Sequence, residues 1–352
     1  MSGAAPAAPD GPSRILSRAP APEEAQFERQ LRPRSFAEYI GQEQAVASLR
    51  ISVEAARQRS ECVDHVLLYG PPGLGKTTLA GVIANEMGTN LVTTSGPAIE
   101  RGADLMGILT NLGEHDVLFV DEIHRLPRVV EELLYPAMED FAVNFVIDRG
   151  MHARTLKYAL RPFTLVAATT RPGMLSAPLR ERFGILHHLD FYSEEELTRI
   201  VTRSASILGA SIDAAGAAEV ARRARGTPRV VNRLLRRVRD YAQVAGGGGL
   251  ITAAIARDAL DKEGVDARGL DRLDRRFLMA IIDHYGGGPV GIDAVAATIN
   301  DEAESLTELV EPYLLKIGFL VRTQAGRRLT REAYAHVGRA APAPAGQGGL
   351  FE

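Results

Sequence analysis

The chain has 352 residues, enough for two or three domains at about 150 residues each. Its 41 Lys and Arg against 44 Asp and Glu leave a net charge of −3, so any nucleic-acid-binding basic face has to be local. With 45% hydrophobic residues, one cysteine (Cys62) and no apolar run of about 18 residues, the sequence excludes global disorder, a disulfide scaffold and a membrane-spanning helix. With no basic stretch leading into an apolar core at its start, it is expected to be cytoplasmic. Residues 1–24 are rich in Ala and Pro and poor in large apolar side chains, so they are expected to be a disordered extension, as is the tail 339–352.

Residues 25–191 read as an α/β domain. HVLLY (His65–Tyr69) is a short apolar strand that runs into a Gly/Pro loop and then a helix carrying Leu79, Val82 and Ile83. Further strands are expected at Asn90–Ser95, Asp116–Glu122 and Phe163–Thr170, the third apolar enough to be buried on both faces. Such strands alternating with helices predict a parallel sheet with helices on both faces. Residues 142–160 alternate around Arg149–Gly150 and predict a β-hairpin insertion. Helical periodicity then dominates 192–265, interrupted at Pro228 and Gly246–Gly249, which predicts a small helical domain. Residues 266–338 read as helices at Phe277–His284, Asp293–Ile299 and Glu304–Ile317, then two strands within Phe319–Thr330, the pattern of a winged helix.

GPPGLGKTT (Gly70–Thr78) fits G-x-x-x-x-G-K-[ST] between a strand and a helix, the context a phosphate-binding loop requires. Glycines let the backbone wrap phosphates, and consecutive N–H groups at a helix N-terminus present positive potential to them. Lys76 is then expected to reach the β- and γ-phosphates and Thr77 to ligate Mg²⁺. Asp121, at the end of a buried strand, is placed to hold the metal through water, and Glu122 to act as base for the attacking water. Thr169 ends the fourth strand, where a hydroxyl can meet the γ-phosphate, although threonine is also an ordinary strand residue. Arg180 and Arg182 leave the sheet on one segment, and either is placed to serve a neighbouring subunit's nucleotide or a surface ion pair. Residues 221–240 hold Arg222, Arg223, Arg225, Arg229, Arg233, Arg236, Arg237 and Arg239, which fit a solvated helix face or a DNA patch, while Gly226–Thr227–Pro228 sets Arg229 in the first turn of a helix.

Taken together, RPRSFAEYIGQ, GPPGLGKTTLA, DVLFVDEIHRL, EELLYPAMEDF, FTLVAATTRPGMLSAPLRERFGI and RRARGTPRVVNRLLRRVRD resemble the AAA+ ATPases, and among them the bacterial RuvB family of Holliday junction branch-migration motors, from about Leu31 to Tyr334. The resemblance implies a P-loop AAA+ sheet domain, a small helical lid and a winged-helix head, working as an ATP- and Mg²⁺-dependent homohexamer on double-stranded DNA at four-way junctions. It implies adenine-side contacts at Leu31 and Arg32, a phosphate loop of Gly73, Gly75, Lys76, Thr77 and Thr78, and nucleotide contact at Glu139, Asp140 and Phe141. It further implies Thr169 as sensor 1, Arg182 rather than Arg180 as the arginine finger, Tyr192 as a lid-side contact and Arg229 as sensor 2. The hairpin at 142–160 matches the element that docks the partner RuvA, RuvC joins such complexes, and Arg322 and Arg327 match DNA-backbone contacts.

The helix expected to enter a groove carries Asp301, Glu302, Glu304 and Glu308, whose charge opposes base reading, whereas the wing carries Arg322, Arg327, Arg328 and Arg331. That division suits a grip on the backbone that ignores sequence. A clamp-loader or helicase-loader subunit would share the ATPase core but end in a helical collar. A nucleotide-gated DNA-binding regulator with little turnover is opposed by Glu122 and Arg182. The tail run Gln347–Phe351 has the Q-x-x-L-F form of a sliding-clamp peptide.

Overall fold

The computed structural model describes residues 22–147, 154–245 and 249–342. The Gln347–Phe351 peptide, residues 1–21 and the hairpin tip 148–153 lie outside the described residues. No helix among the described residues is long and apolar enough to cross a membrane.

The chain divides into two compact units, one comprising Gln26–Ile200 with Thr227–Arg229 and the other the remainder. The first opens on helix α1 (Pro22–Leu31), which begins inside the segment expected to be disordered. Helix α2 (Glu43–Arg59) turns Leu49 and Val53 inward. Then come β1 (Val66–Tyr69), α3 (Lys76–Met87), β2 (Leu91–Ser95), α4 (Gly102–Thr110), β3 (Val117–Asp121) and α5 (Arg128–Glu139). The hairpin β4 (Ala142–Ile147) and β5 (Arg154–Ala159) follows, antiparallel as the alternating sequence predicts. Strand β6 (Thr164–Thr169), helix α6 (Ala177–Glu181) and strand β7 (Ile185–His188) complete the sheet, and α7 (Glu194–Ile207) leaves it.

The sheet has five parallel strands in the order β2-β3-β6-β1-β7. Its centre is apolar on both faces, as parallel strands covered by helices must be: every residue of β6 is buried, and so are Val117 to Val120 of β3. Leu67, Leu118, Phe163 and Leu165 meet Leu105 and Leu134 from α4 and α5 in one core. This order sets β1 beside β6, so the start of the phosphate loop lies next to Thr169, in register with Tyr69.

In the second unit, α8 (Ala214–Arg222), α9 (Pro228–Ala245) and α10 (Ala253–Lys262) follow α7, and Ile212 bridges Ile251. The winged helix contains α11 (Arg272–Tyr285), α12 (Ile292–Ile299), α13 (Ala303–Ser305), α14 (Glu311–Lys316), the wing strands β8 (Leu320–Thr323) and β9 (Gly326–Leu329), and α15 (Arg331–His336). The single helix expected over Glu304–Ile317 is instead interrupted by a π-helical stretch, Leu306–Val310, between α13 and α14. Phe277, Leu278, Leu306, Leu314, Leu329 and Tyr334 close this core.

Candidate functional site

Strand β1 delivers the chain into the loop, and α3 starts at Lys76 with Gly75 as its left-handed N-cap (φ 97°). A Cβ on Gly75 would lie 2.5 Å from the Tyr39 hydroxyl, and one on Gly73 (φ 80°) 2.7 Å from Thr227 Cγ2. Packing and conformation therefore both demand glycine at these turns. The first-turn N–H groups of α3, including those of Lys76, Thr77 and Thr78, have no carbonyl of their own helix to bond and face the loop's mouth. The buried Lys76 folds back over the loop, its Nζ donating to the carbonyls of Gly70 and Pro71, both at 2.8 Å.

Asp121 ends β3 and its Oδ1 accepts the Glu122 N–H at 2.9 Å. Glu122 adopts the left-handed conformation (φ 49°), and its carboxylate pairs with Arg125 at 3.2 Å. Across β6, the Gly70 N–H donates to the Thr169 carbonyl at 3.2 Å. The buried Thr169 hydroxyl accepts the Arg171 N–H at 3.0 Å and lies 2.9 Å from His124 Nδ1. His124 was not among the residues expected from sequence, although it stands only two positions after Glu122.

Tyr192 and Arg229 bond the same loop, and Arg32 lies beside Arg229. Leu31 is buried, and burial holds the Arg32 pKa below its ordinary value despite the nearby Glu28. Arg229 pairs with Glu28 at 3.3 Å, and its backbone N–H donates to the Gly73 carbonyl at 3.4 Å. The Tyr192 hydroxyl donates to the Leu74 carbonyl at 3.2 Å and lies 3.1 Å from that of Tyr39; burial pushes its pKa up to about 12, so it remains a donor. Glu28 belongs to this site although no motif marks it, and so does Tyr39, which lies within RPRSFAEYIGQ but carried no expected role.

Glu139, Asp140 and Phe141 group with a different set of residues. Glu139 pairs with Arg182 at 3.0 Å, Asp140 with Lys157 of the hairpin at 3.3 Å, and Phe141 packs edge-on against Phe163 and His65. Arg182 is half-buried while Arg180 on α6 is exposed, a difference between two arginines that their positions in the sequence did not show.

Among the described residues no group of three or more His, Cys, Asp or Glu could hold a metal. Thr77 and Asp121 offer a hydroxyl and one carboxylate. That sparse oxygen set fits Mg²⁺, which completes its shell with phosphate and water, and does not fit a transition metal.

The arginine run also separates. Arg223 bonds Glu219 at 2.9 Å and the Val265 carbonyl at 2.8 Å. Arg225 bonds Asp274 at 2.8 Å and the Leu309 carbonyl at 3.0 Å, and stacks on Tyr313. These two and Arg233 are buried, which removes them from a DNA patch. In the wing, Arg322 and Arg327 both clamp the fully buried Glu311, with Nε–Oε1 distances of 3.0 and 2.8 Å. Burial pushes the Glu311 carboxyl up, but the two guanidiniums outweigh it and hold its pKa below the usual value. Arg322, Arg328 and Arg331 are exposed and Arg327 is half-buried. Of the four carboxylates expected to face a groove, Glu308 is buried in the domain instead, because it falls on the inward side of the π-helical stretch.

A five-stranded parallel sheet with a G-x-x-x-x-G-K-T loop after β1, an Asp-Glu pair after β3 and a following helical lid defines a P-loop ATPase of the AAA+ class. Family models match in sequence the Holliday junction DNA helicase RuvB P-loop domain over residues 31–189, the RuvB AAA lid domain over 192–266 and the RuvB C-terminal winged helix domain over 267–338. The chain belongs to the RuvB family. The Holliday junction branch migration complex subunit RuvB of Desulfosudis oleivorans is 60% identical over 308 residues, covering 88% of this chain and 90% of the relative. The structure of the Thermotoga maritima RuvB Holliday junction branch migration motor superposes with a TM-score of 0.82 at 48% identity, covering 89% of this chain and all of that one. A point variant of the same Thermotoga protein gives 0.83 at 48% identity, over 89% of this chain and 99% of its own.

Proposed function

We propose that this protein is the ATP-driven motor that moves Holliday junctions, a homohexameric ring pulling duplex DNA in the cytoplasm. The observation that carries this is the pairing, in one chain, of a complete hydrolytic loop with an arginine held apart from it. Lys76 and the α3 N-terminus bind the ATP phosphates, and Tyr192, Leu31 and Arg32 hold the nucleoside side. Thr77 and Asp121 would hold Mg²⁺, which would supply positive charge to offset that of the phosphates. Glu122, released from Arg125, takes a proton from the attacking water, and Thr169 orients the γ-phosphate. Arg182 of the adjoining subunit meets the charge that develops in the transition state. Arg229 answers the loss of the γ-phosphate from the loop side, and its motion is carried along α9. Wing residues Arg322 and Arg327 hold the DNA backbone, the hairpin at 142–160 docks RuvA, and RuvC joins the assembly for resolution.

The test is dissociation of a labelled four-way junction by the full-length protein with RuvA. ATP is expected to drive it and a non-hydrolysable analogue is not. Equal dissociation with the analogue, or none with ATP, would overturn the proposal. The Gln347–Phe351 tail is proposed to dock the sliding clamp. Titrating a peptide of the tail into the clamp should show saturable binding that is lost on replacing Leu350 and Phe351 by alanine, and identical curves for the two peptides dispose of the idea.

A further inference from the structure

We infer that Tyr135 is the positioning residue of the Arg182 finger, holding its guanidinium over an aromatic face so that its outer N–H groups stay available to a neighbouring subunit's γ-phosphate. The inference rests on the finger reading above and deepens it. The Arg182 Cζ lies 4.3 Å from the centroid of the Tyr135 ring. A π-face attracts a guanidinium through its plane and takes none of its hydrogens, whereas a carboxylate takes them one by one. Of the five N–H donors, one on Nη1 goes to the Pro178 carbonyl at 2.6 Å, and Nη2 forms an ion pair with the Glu139 carboxylate at 3.0 Å. The buried Nε has no hydrogen-bond partner among the described residues. The side chain is thus held in one direction while N–H groups on its Nη atoms remain uncommitted, the state a group needs when its ligand arrives from another molecule.

The ring itself is anchored. The Tyr135 hydroxyl donates to Glu131 at 2.7 Å and lies 3.3 Å from the Ser176 hydroxyl, which also bonds Glu131. Ser176 in turn caps α6, accepting the Leu179 N–H at 3.2 Å. Helix α6 is therefore tied to α5 just before its first residue through Ser176 and just past its last through Arg182. A five-residue helix without such ties has little reason to hold an arginine in one direction.

The experiment is steady-state ATP hydrolysis by the full chain on junction DNA. Because a misplacement of about 1 Å can cost about 10² in rate, Tyr135→Leu is expected to lower kcat roughly 100-fold while KM for ATP stays within about twofold. Tyr135→Phe keeps the ring and is expected to restore kcat to within about threefold of the parent. The defect should belong to the subunit that donates the finger. Mixing Tyr135→Leu with Lys76→Ala subunits should therefore give roughly tenfold more turnover than the two alone, since Lys76→Ala subunits supply intact fingers to Tyr135→Leu sites. Parental kcat in Tyr135→Leu, with turnover lost in Arg182→Ala, overturns this inference and leaves the finger reading standing. Parental kcat in Arg182→Ala overturns the finger reading itself. No recovery on mixing places the fault in the variant's own fold or nucleotide loop and also overturns the inference.

Discussion

Alanine at Arg182 is expected to lower ATP turnover by about 10³–10⁵ while leaving nucleotide binding nearly unchanged. The size follows from the role: a cation that meets charge present only in the transition state adds to kcat and little to ground-state affinity. The separation of the two effects follows from the geometry. Arg182 is held by Tyr135, Glu139 and Pro178, whereas the proposed ligands of its own subunit's phosphates are Lys76 and the first turn of α3. Measuring Kd for a fluorescent ATP analogue beside kcat checks both parts. A fall in affinity as large as the fall in kcat would make Arg182 a ground-state ligand and refute the assignment.

Asp274→Ala is expected to destabilise the winged-helix unit by about 3–5 kcal/mol. Asp274 is fully buried against Arg225, itself 4% exposed, at 2.8 Å. It also closes the capping box of α11 by accepting the Asp271 N–H at 2.9 Å. Burial pushes its pKa up to about 7, with the Arg225 guanidinium pulling the other way. The pair is therefore poor evidence of net stability as built, yet costly to break, because removing the acid leaves a guanidinium buried without its counter-charge. Two units need not unfold together, so the measurement is amide hydrogen exchange across α11 and α14 in the full chain. Protection reduced by less than about 1 kcal/mol would show that Arg225 finds another partner.

Most of the nucleotide loop was legible in the sequence because its mechanism lies in contiguous residues: Gly73, Gly75, Lys76 and Thr77 have to be neighbours to wrap a phosphate. The central strands were legible because burial on both faces leaves unbroken apolar runs. Strand β7 was not, since ILHH at the sheet edge alternates half-buried and exposed positions over only four residues. Tyr135 and Glu28 could not be read, because the arginines they meet lie far along the chain and only the tertiary fold brings them together. The arginine run was ambiguous for a related reason. Periodicity places Arg233 on the inward stripe of α9 but cannot say which distant acid receives Arg223 or Arg225. Glu311 looked like one more acidic residue after Glu308, and nothing local marks it as the anion beneath the wing.

That anion tempers how strongly the wing can cling to a polyphosphate track. Arg322 and Arg327 share one carboxylate, so the trio presents a single surplus positive charge where two arginines stand. On the proposed DNA grip, fewer counterions would be shed per contact, and the attachment would weaken less steeply as ionic strength rises. If the wing grips DNA as proposed, a walking device gains from such a muted handhold, which would orient the strand at each stride and let go without a large barrier.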